Sequence, residues 1–142
     1  MEDQNFKNHA KLVTGFHFVA LPLILLIVVG SIINMVHANQ QNLLAAVLLV
    51  AISIVILLVA FFAIIFALKA QDKAIRADEN LRYFIATGKP LNKEISMSQI
   101  VALRFAGEDE FVALVQKAAN ENMSSKQIKM AIQNWKADHN RA

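Results

Sequence analysis

The chain of 142 residues contains no cysteine, two prolines and four glycines. Without cysteine it has no disulfide framework, no thiolate metal site and no cysteine for a lipoprotein anchor. Four scattered glycines form no phosphate-cradling loop, and HExxH, GxSxG and Cys/His metal spacings are all missing. The histidines, His9, His17, His37 and His139, are dispersed, so nothing pairs a nucleophile with a base. Neither an enzyme nor a bound cofactor is expected. The largest deficit is of charge. From Leu43 to Leu68 the sequence LLAAVLLVAISIVILLVAFFAIIFAL runs for 26 residues without a charged, amide or proline side chain.

What is present instead is apolar surface, 56% of the residues, concentrated between Val13 and Leu68. A helix rises ~1.5 Å per residue, so a run of this length reaches ~39 Å and exceeds the ~30 Å hydrocarbon core of a bilayer. Val13 to Val36 adds 24 residues with no formal charge. The expected organisation is a cytoplasmic segment at 1–12, spans at 13–36 and 43–68, and an external loop at 37–42. The rest of the chain is too small to wrap two such helices, which excludes a soluble bundle. Val36-His37-Ala38 loosely fits a signal-peptide cleavage site, but the apolar run is too long for an h-region, and Glu2 and Asp3 lie beside Lys7 and Lys11. The first helix therefore reads as uncleaved. Lys7 and Lys11 on one flank, Lys69, Lys73, Arg76 and Arg82 on the other, and neither Lys nor Arg in the loop HANQQN place both termini in the cytoplasm.

The short loop makes the spans antiparallel neighbours. Pairing about its middle sets Gly15 and His17 near Phe61 to Ala67, where Ala60, Ala63 and Ala67 allow close approach, and sets Asn34 near Ala45 to Val50. Pro22 cannot donate to the carbonyl of Phe18, so a bend is expected over 18–22. His17, the one ionisable group within a span, reads as a structural or interfacial contact, because no second ionisable group completes a relay. Asn34 reads as a cap or an interhelical hydrogen bond.

After Lys69 the helical pattern continues. Ala67, Ala70, Ala74, Ala77, Leu81 and Phe84 form a narrow stripe, Asp72 with Arg76 and Asp78 with Arg82 sit at i and i+4, and Gly88 and Pro90 supply the stop. One helix over about 43–86 is predicted, reaching roughly 25 Å past the membrane. The stripe suits a partner helix, a symmetry mate or the tail folding back. Residues 89–94, KPLNKE, read as a linker. Ser96 with Gln99, and Ser124 with Gln127, are capping boxes flanked by the staple pairs Ile95/Ile100 and Met123/Ile128. They predict helices over about 97–106 and 125–138. Between them, Glu108, Asp109 and Glu110 open a helix ending near 120–122, where the macrodipole favours acids. The last helix is expected to carry Ile128, Ala131, Ile132 and Trp135 on one face.

The run QIVALRFAGEDEFVALVQKAANENMSSKQIKMAIQNWKADH, with QDKAIRADENLR upstream, resembles an uncharacterised bacterial family of small two-span membrane proteins, a domain of unknown function. The likeness is densest at Leu103 to Ala106, at 108–110, and over Lys126 to Asp138. It implies a bacterial inner-membrane protein with a cytoplasmic tail and implies no activity. The expected fold is an all-α membrane protein: a two-helix transmembrane hairpin, an extension of its second helix over 69–88, and a small three-helix module over 89–142. The expected role is a non-enzymatic accessory, assembly or scaffold subunit in contact with lipid and with a protein partner or a second copy. Leu81, Phe84, Arg104, Phe105 and Trp135 are candidates for tail packing or docking, and Gly15, His17, Pro22, Asn34, Ala60 and Ala63 for contacts inside the membrane. Two alternatives stand beside this. One is a homo-oligomeric transporter or channel, thinly supported by Thr14, His17, Ser31, Asn34 and Ser53. The other is a module binding nucleic acid or anionic lipid through Lys126, Lys129 and Lys136. Nucleic acid is disfavoured, because 12 Lys or Arg interleave with 9 Asp or Glu over residues 69–142.

Overall fold

The computed structural model describes residues 13–137; the terminal segment at 1–12 with His9, and residues 138–142 with Asp138, His139 and Arg141, lie outside the described residues. Among the described residues the chain is all-helical and contains no strand. A π-helical segment, Gly15–Ala20, leads into α1 (Leu21–Val36), followed by α2 (Leu43–Thr87), α3 (Met97–Leu103), α4 (Glu108–Asn120) and α5 (Ser125–Ala131). The chain divides within α2, between Ala67 and Leu68, into two compact units.

In the first unit, two helices are long and apolar enough to cross a membrane: Gly15–Val36 and the apolar part of α2. Pro22 near the start of α1 leaves a carbonyl in the preceding turn without its usual donor. The backbone there takes the wider π ladder, in which the amide of Leu21 donates to Phe16 O. The two helices meet at Ser31 and Ser53, whose hydroxyls lie 3.0 Å apart, and each hydroxyl is also within 2.8 Å of a carbonyl of its own helix, Val28 or Val50, so the two protons are shared among three contacts. Ser53 is 1% exposed. Reduced exposure recurs along α2 at Ala46, Val50, Ser53, Leu57, Ala60 and Ile64, the 3.5-residue spacing of a helix–helix seam. Ala20, Ile24 and Ser31 before the loop and Ala60 and Ile64 after it are half-buried. Gly15 and Gly30 have nothing within 4 Å of where a side chain would begin. The loop supplies its own caps: the amide of Asn42 donates to Asn39 Oδ1, and His37 Nδ1 lies 2.9 Å from Ile33 O.

The second unit is built around a core of Phe105, Phe111, Ile95, Ile100, Leu103 and Ile128, with Ile75 and Tyr83 of α2 packed against it. Helix α2 ends at Gly88, whose φ of +71° suits a residue without a Cβ and whose amide donates to Phe84 O. Both capping boxes form. They also interlock, because Gln99 Oε1 accepts from the amide of Ser96 while its Nε2 donates to Met123 O, the residue before the second cap. Helix α4 ends in a Schellman turn, with Asn122 at φ 52° and the amide of Met123 donating to Ala118 O.

Two helices are shorter than the sequence predicts. Helix α3 stops at Leu103, and α5 stops at Ala131, where Ile132 turns extended. Trp135 is therefore not on a helix face. It lies in an extended segment bridged to Ala106, with Gly107 N donating to Asn134 O at 2.7 Å and Lys136 N to Phe105 O at 2.8 Å. The cause is Glu110, whose carboxylate accepts from the amides of Gln133 and Asn134, groups that a continuing helix would direct to its own carbonyls.

Gly107 is the tight point of this junction: a Cβ there would meet Asn134 O at 2.9 Å and Asn134 Cβ at 3.1 Å. Gly107→Ala is expected to destabilise the tail by about 1–3 kcal/mol. Gly30→Ala, in open space within a helix, should leave the tail unchanged. Thermal unfolding in detergent, followed through the single tryptophan, Trp135, checks both.

Candidate functional site

Ile75, Glu79, Arg82 and Tyr83 recur at i, i+4, i+7 and i+8, so they share one face of α2. Arg82 is the centre of that face. Its Nε donates to Glu108 Oε2 at 2.8 Å, Nη1 to Glu79 Oε2 at 3.1 Å, and Nη2 to the carbonyl of Ala106 at 2.7 Å. Its guanidinium carbon sits 3.8 Å from the centre of the Phe111 ring, which Tyr83 meets edge-on. One planar fork thus clamps α2 to the turn between α3 and α4 and to the first turn of α4.

Each of the three acids in that first turn has a long-range partner. Glu108 holds Arg82 and also accepts from Lys136 Nζ at 2.8 Å. Asp109 accepts from the side-chain amide of Asn134, and Glu110 caps the backbone of Gln133 and Asn134. The macrodipole explains why acids are tolerated there. Long-range pairing explains what they hold.

The two glutamates flanking Arg82 are shifted in opposite directions. Burial holds the Glu79 carboxyl above the usual glutamate value, although Arg82 acts against the shift. Hydrogen bonds from Lys136 and Arg82 hold Glu108 below it. Glu79 is shielded, while the side chain of Glu108 is 68% exposed, so the Glu79 contact is the costlier one to disturb.

Across the helix from this clamp, the stripe of Ala67, Ala70, Ala74, Ala77, Leu81 and Phe84 is exposed, so the tail of the same chain does not cover it. Leu81, Phe84 and Ile85 are 58%, 51% and 76% exposed. The other expected tail residues are interior. Phe105 is fully buried, Trp135 stacks on it at a tilt with ring centres 5.2 Å apart, and Arg104 lies over the same ring and is 8% exposed. Of the basic candidates, Lys126 is exposed, Lys129 approaches the Phe105 ring, and Lys136 is held by Glu108. Within the apolar helices, His17 Nδ1 lies 3.0 Å from Val13 O, Asn34 and Ala63 are exposed, Ala60 is half-buried, and Pro22 follows the π segment. Arg82 and Glu79 were not among the expected site residues. The i, i+4 rule assigned Arg82 to Asp78, whereas it pairs with Glu79 and Glu108. The signal that could have found them is the face shared with Ile75 and Tyr83. Among the described residues no group of His, Asp and Glu converges as a metal site would require.

These features define an all-helical protein with two helices long and apolar enough to cross a membrane and a compact C-terminal unit clamped on a single arginine. The chain belongs to a family of unknown function, DUF6526, whose pattern matches residues 1–142. No curated protein and no solved structure matches it significantly.

Arg82→Ala leaves Glu79 shielded from water without its cation, and the expected loss is about 3 kcal/mol of tail stability. Arg82→Lys should fall between it and wild type, because the charge remains but the fork is lost. The pH dependence follows from the two shifts. The folded state holds a proton on Glu79 more readily than the unfolded state, so this group's contribution falls as pH rises from the usual glutamate value through its raised pKa. The contribution of Glu108 is present above the usual value and is lost as pH falls through its lowered pKa. Melting temperatures between about pH 3 and pH 7 should show Glu79→Gln flattening the alkaline-side decline and Glu108→Gln flattening the acid-side decline.

Proposed function

We propose that the chain is a two-span protein of the bacterial inner membrane, folded as a transmembrane hairpin over 13–36 and 43–68 with both termini cytoplasmic, and that its tail is a non-enzymatic docking platform. In this role it is an accessory, assembly or scaffold subunit that receives a partner on α2. The observation that carries the docking role is the division of α2 between Ile75 and Ile85. One face is committed to the tail's own core, and the other leaves Leu81, Phe84 and Ile85 open to solvent. A clamp that fixes the orientation of a helix and an apolar patch on the face opposite are what an interaction surface requires. The membrane reading is supported by the apolar helices themselves, since only 6% of the most apolar window of each is buried by protein. Apolar surface on that scale is stable in hydrocarbon and costly in water.

Of the residues that favour the transport alternative, Ser31 and Ser53 are engaged with each other, while Thr14, His17 and Asn34 are exposed. The nucleic-acid alternative is weakened in the same way. Helix α5 has only seven residues, and Lys136 is bound to Glu108.

Two measurements test the proposal. Because the chain has no cysteine, Gln40→Cys introduces one thiol in the loop. An impermeant maleimide is expected to label it from the outer side of intact inner-membrane preparations. Labelling from the cytoplasmic side alone would overturn the topology. In mild detergent, the wild-type chain should carry stoichiometric companions or a second copy, and Leu81→Ser, Phe84→Ser and Ile85→Ser combined should release them without lowering the tail's melting temperature. An unchanged assembly would overturn the docking role.

A further inference from the structure

A groove of about 440 Å³ lies within the second unit, between α2 and the segment 90–95. The segment folds back on the helix because the amide of Leu91 donates to Asn80 Oδ1 at 2.8 Å, and Arg76 Nη2 reaches the carbonyl of Ile95 at 3.5 Å. Among the described residues, the charged side chains lining the groove are Lys73, Arg76 and Lys93, all exposed, and none is a carboxylate. Its floor is apolar: Ile95 and Ile100 are each 2% exposed, and Leu91 is half-buried. Elsewhere in this unit Arg82 is paired with Glu79 and Glu108, and Lys136 with Glu108. Here, among the described residues, three cations line a groove with an apolar floor and no carboxylate in the lining.

We infer that this groove binds the phosphate headgroup of an acidic phospholipid, with Lys73, Arg76 and Lys93 facing the phosphate and Leu91, Ile95 and Ile100 in contact with the apolar part next to it. A guanidinium whose Nη2 reaches a carbonyl at 3.5 Å keeps its remaining donors for a phosphate, which a planar fork suits, and two flexible ammonium groups complete the charge. A small soluble anion would make no use of the apolar floor. In sequence, Lys69, Lys73 and Arg76 follow directly on the apolar run that ends at Leu68, the place where basic clusters meet anionic headgroups. The site differs from the expected anionic contacts at Lys126, Lys129 and Lys136.

The inference rests on the membrane reading. Failure of that reading would appear separately, as release of the chain from membranes by alkaline carbonate. The test uses the full chain in mild detergent, exchanged against phosphatidylglycerol or phosphatidylcholine, with bound lipid counted by native mass spectrometry. Wild type should retain phosphatidylglycerol preferentially. Lys73→Gln with Lys93→Gln, neither of which breaks the Arg76 contact, should lower retention roughly tenfold. Lys117→Glu changes the net charge by the same two units at an exposed position outside the groove and should leave retention unchanged. Equal retention of the two lipids, an equal effect of the groove variant and the Lys117 variant, or full displacement of the lipid by millimolar inorganic phosphate or by an acidic peptide would each overturn the inference.

Discussion

A single guanidinium joins the parts of the tail that the sequence keeps apart. Arg82 touches a carboxylate on its own helix, a carboxylate and a carbonyl 26 and 24 residues later, and an aromatic face. Without it, α2 would meet the module through Ile75 and Tyr83 and through the hydrogen bonds of Arg76 and Asn80 to the segment 91–95, with no ion pair to the first turn of α4. The cost of holding Glu79 out of water shows how closely the arrangement is drawn. Its carboxyl is pushed toward the protonated form even beside a cation. The compensation comes from all three nitrogens of the fork donating to the protein.

The acidic turn at 108–110 extends the same logic to the C-terminal segment. Glu108 connects Arg82 to Lys136, and Glu110 takes the two amides that would otherwise have prolonged α5. The resulting extended stretch returns Trp135 to Phe105 and bridges Ala106, closing the core over a unit whose helices α3 and α5 have only seven residues each. A module this small gains from such ties, because its apolar core alone is modest.

What could be read from the sequence was local. The capping boxes at Ser96 and Ser124 involve residues three apart, and both form. The stop at Gly88 and the acidic start of α4 are local too. The features that sequence reasoning missed are set mostly by distant partners. Helical periodicity placed Trp135 beside Ile132, but Glu110, 23 residues before Gln133, decided that backbone's conformation. The i, i+4 rule paired Arg82 with Asp78, while Glu79 and Glu108 claimed it. The contact between Ser31 and Ser53, two small hydroxyls 22 residues apart, is likewise one that no local pattern announces. Family membership adds no activity to this picture.

The central claim is that α2 beyond its apolar run has a clamped face and an open one. In a chain without cysteine, single thiols placed one at a time around that helix read this directly. Reaction rates with a small maleimide in the detergent-purified protein should be high for Leu81→Cys and Ile85→Cys and at least several-fold lower for Ile75→Cys and Tyr83→Cys. Uniform rates around the helix would contradict the account, because they would mean that the Arg82 contacts do not hold α2 against the tail in solution.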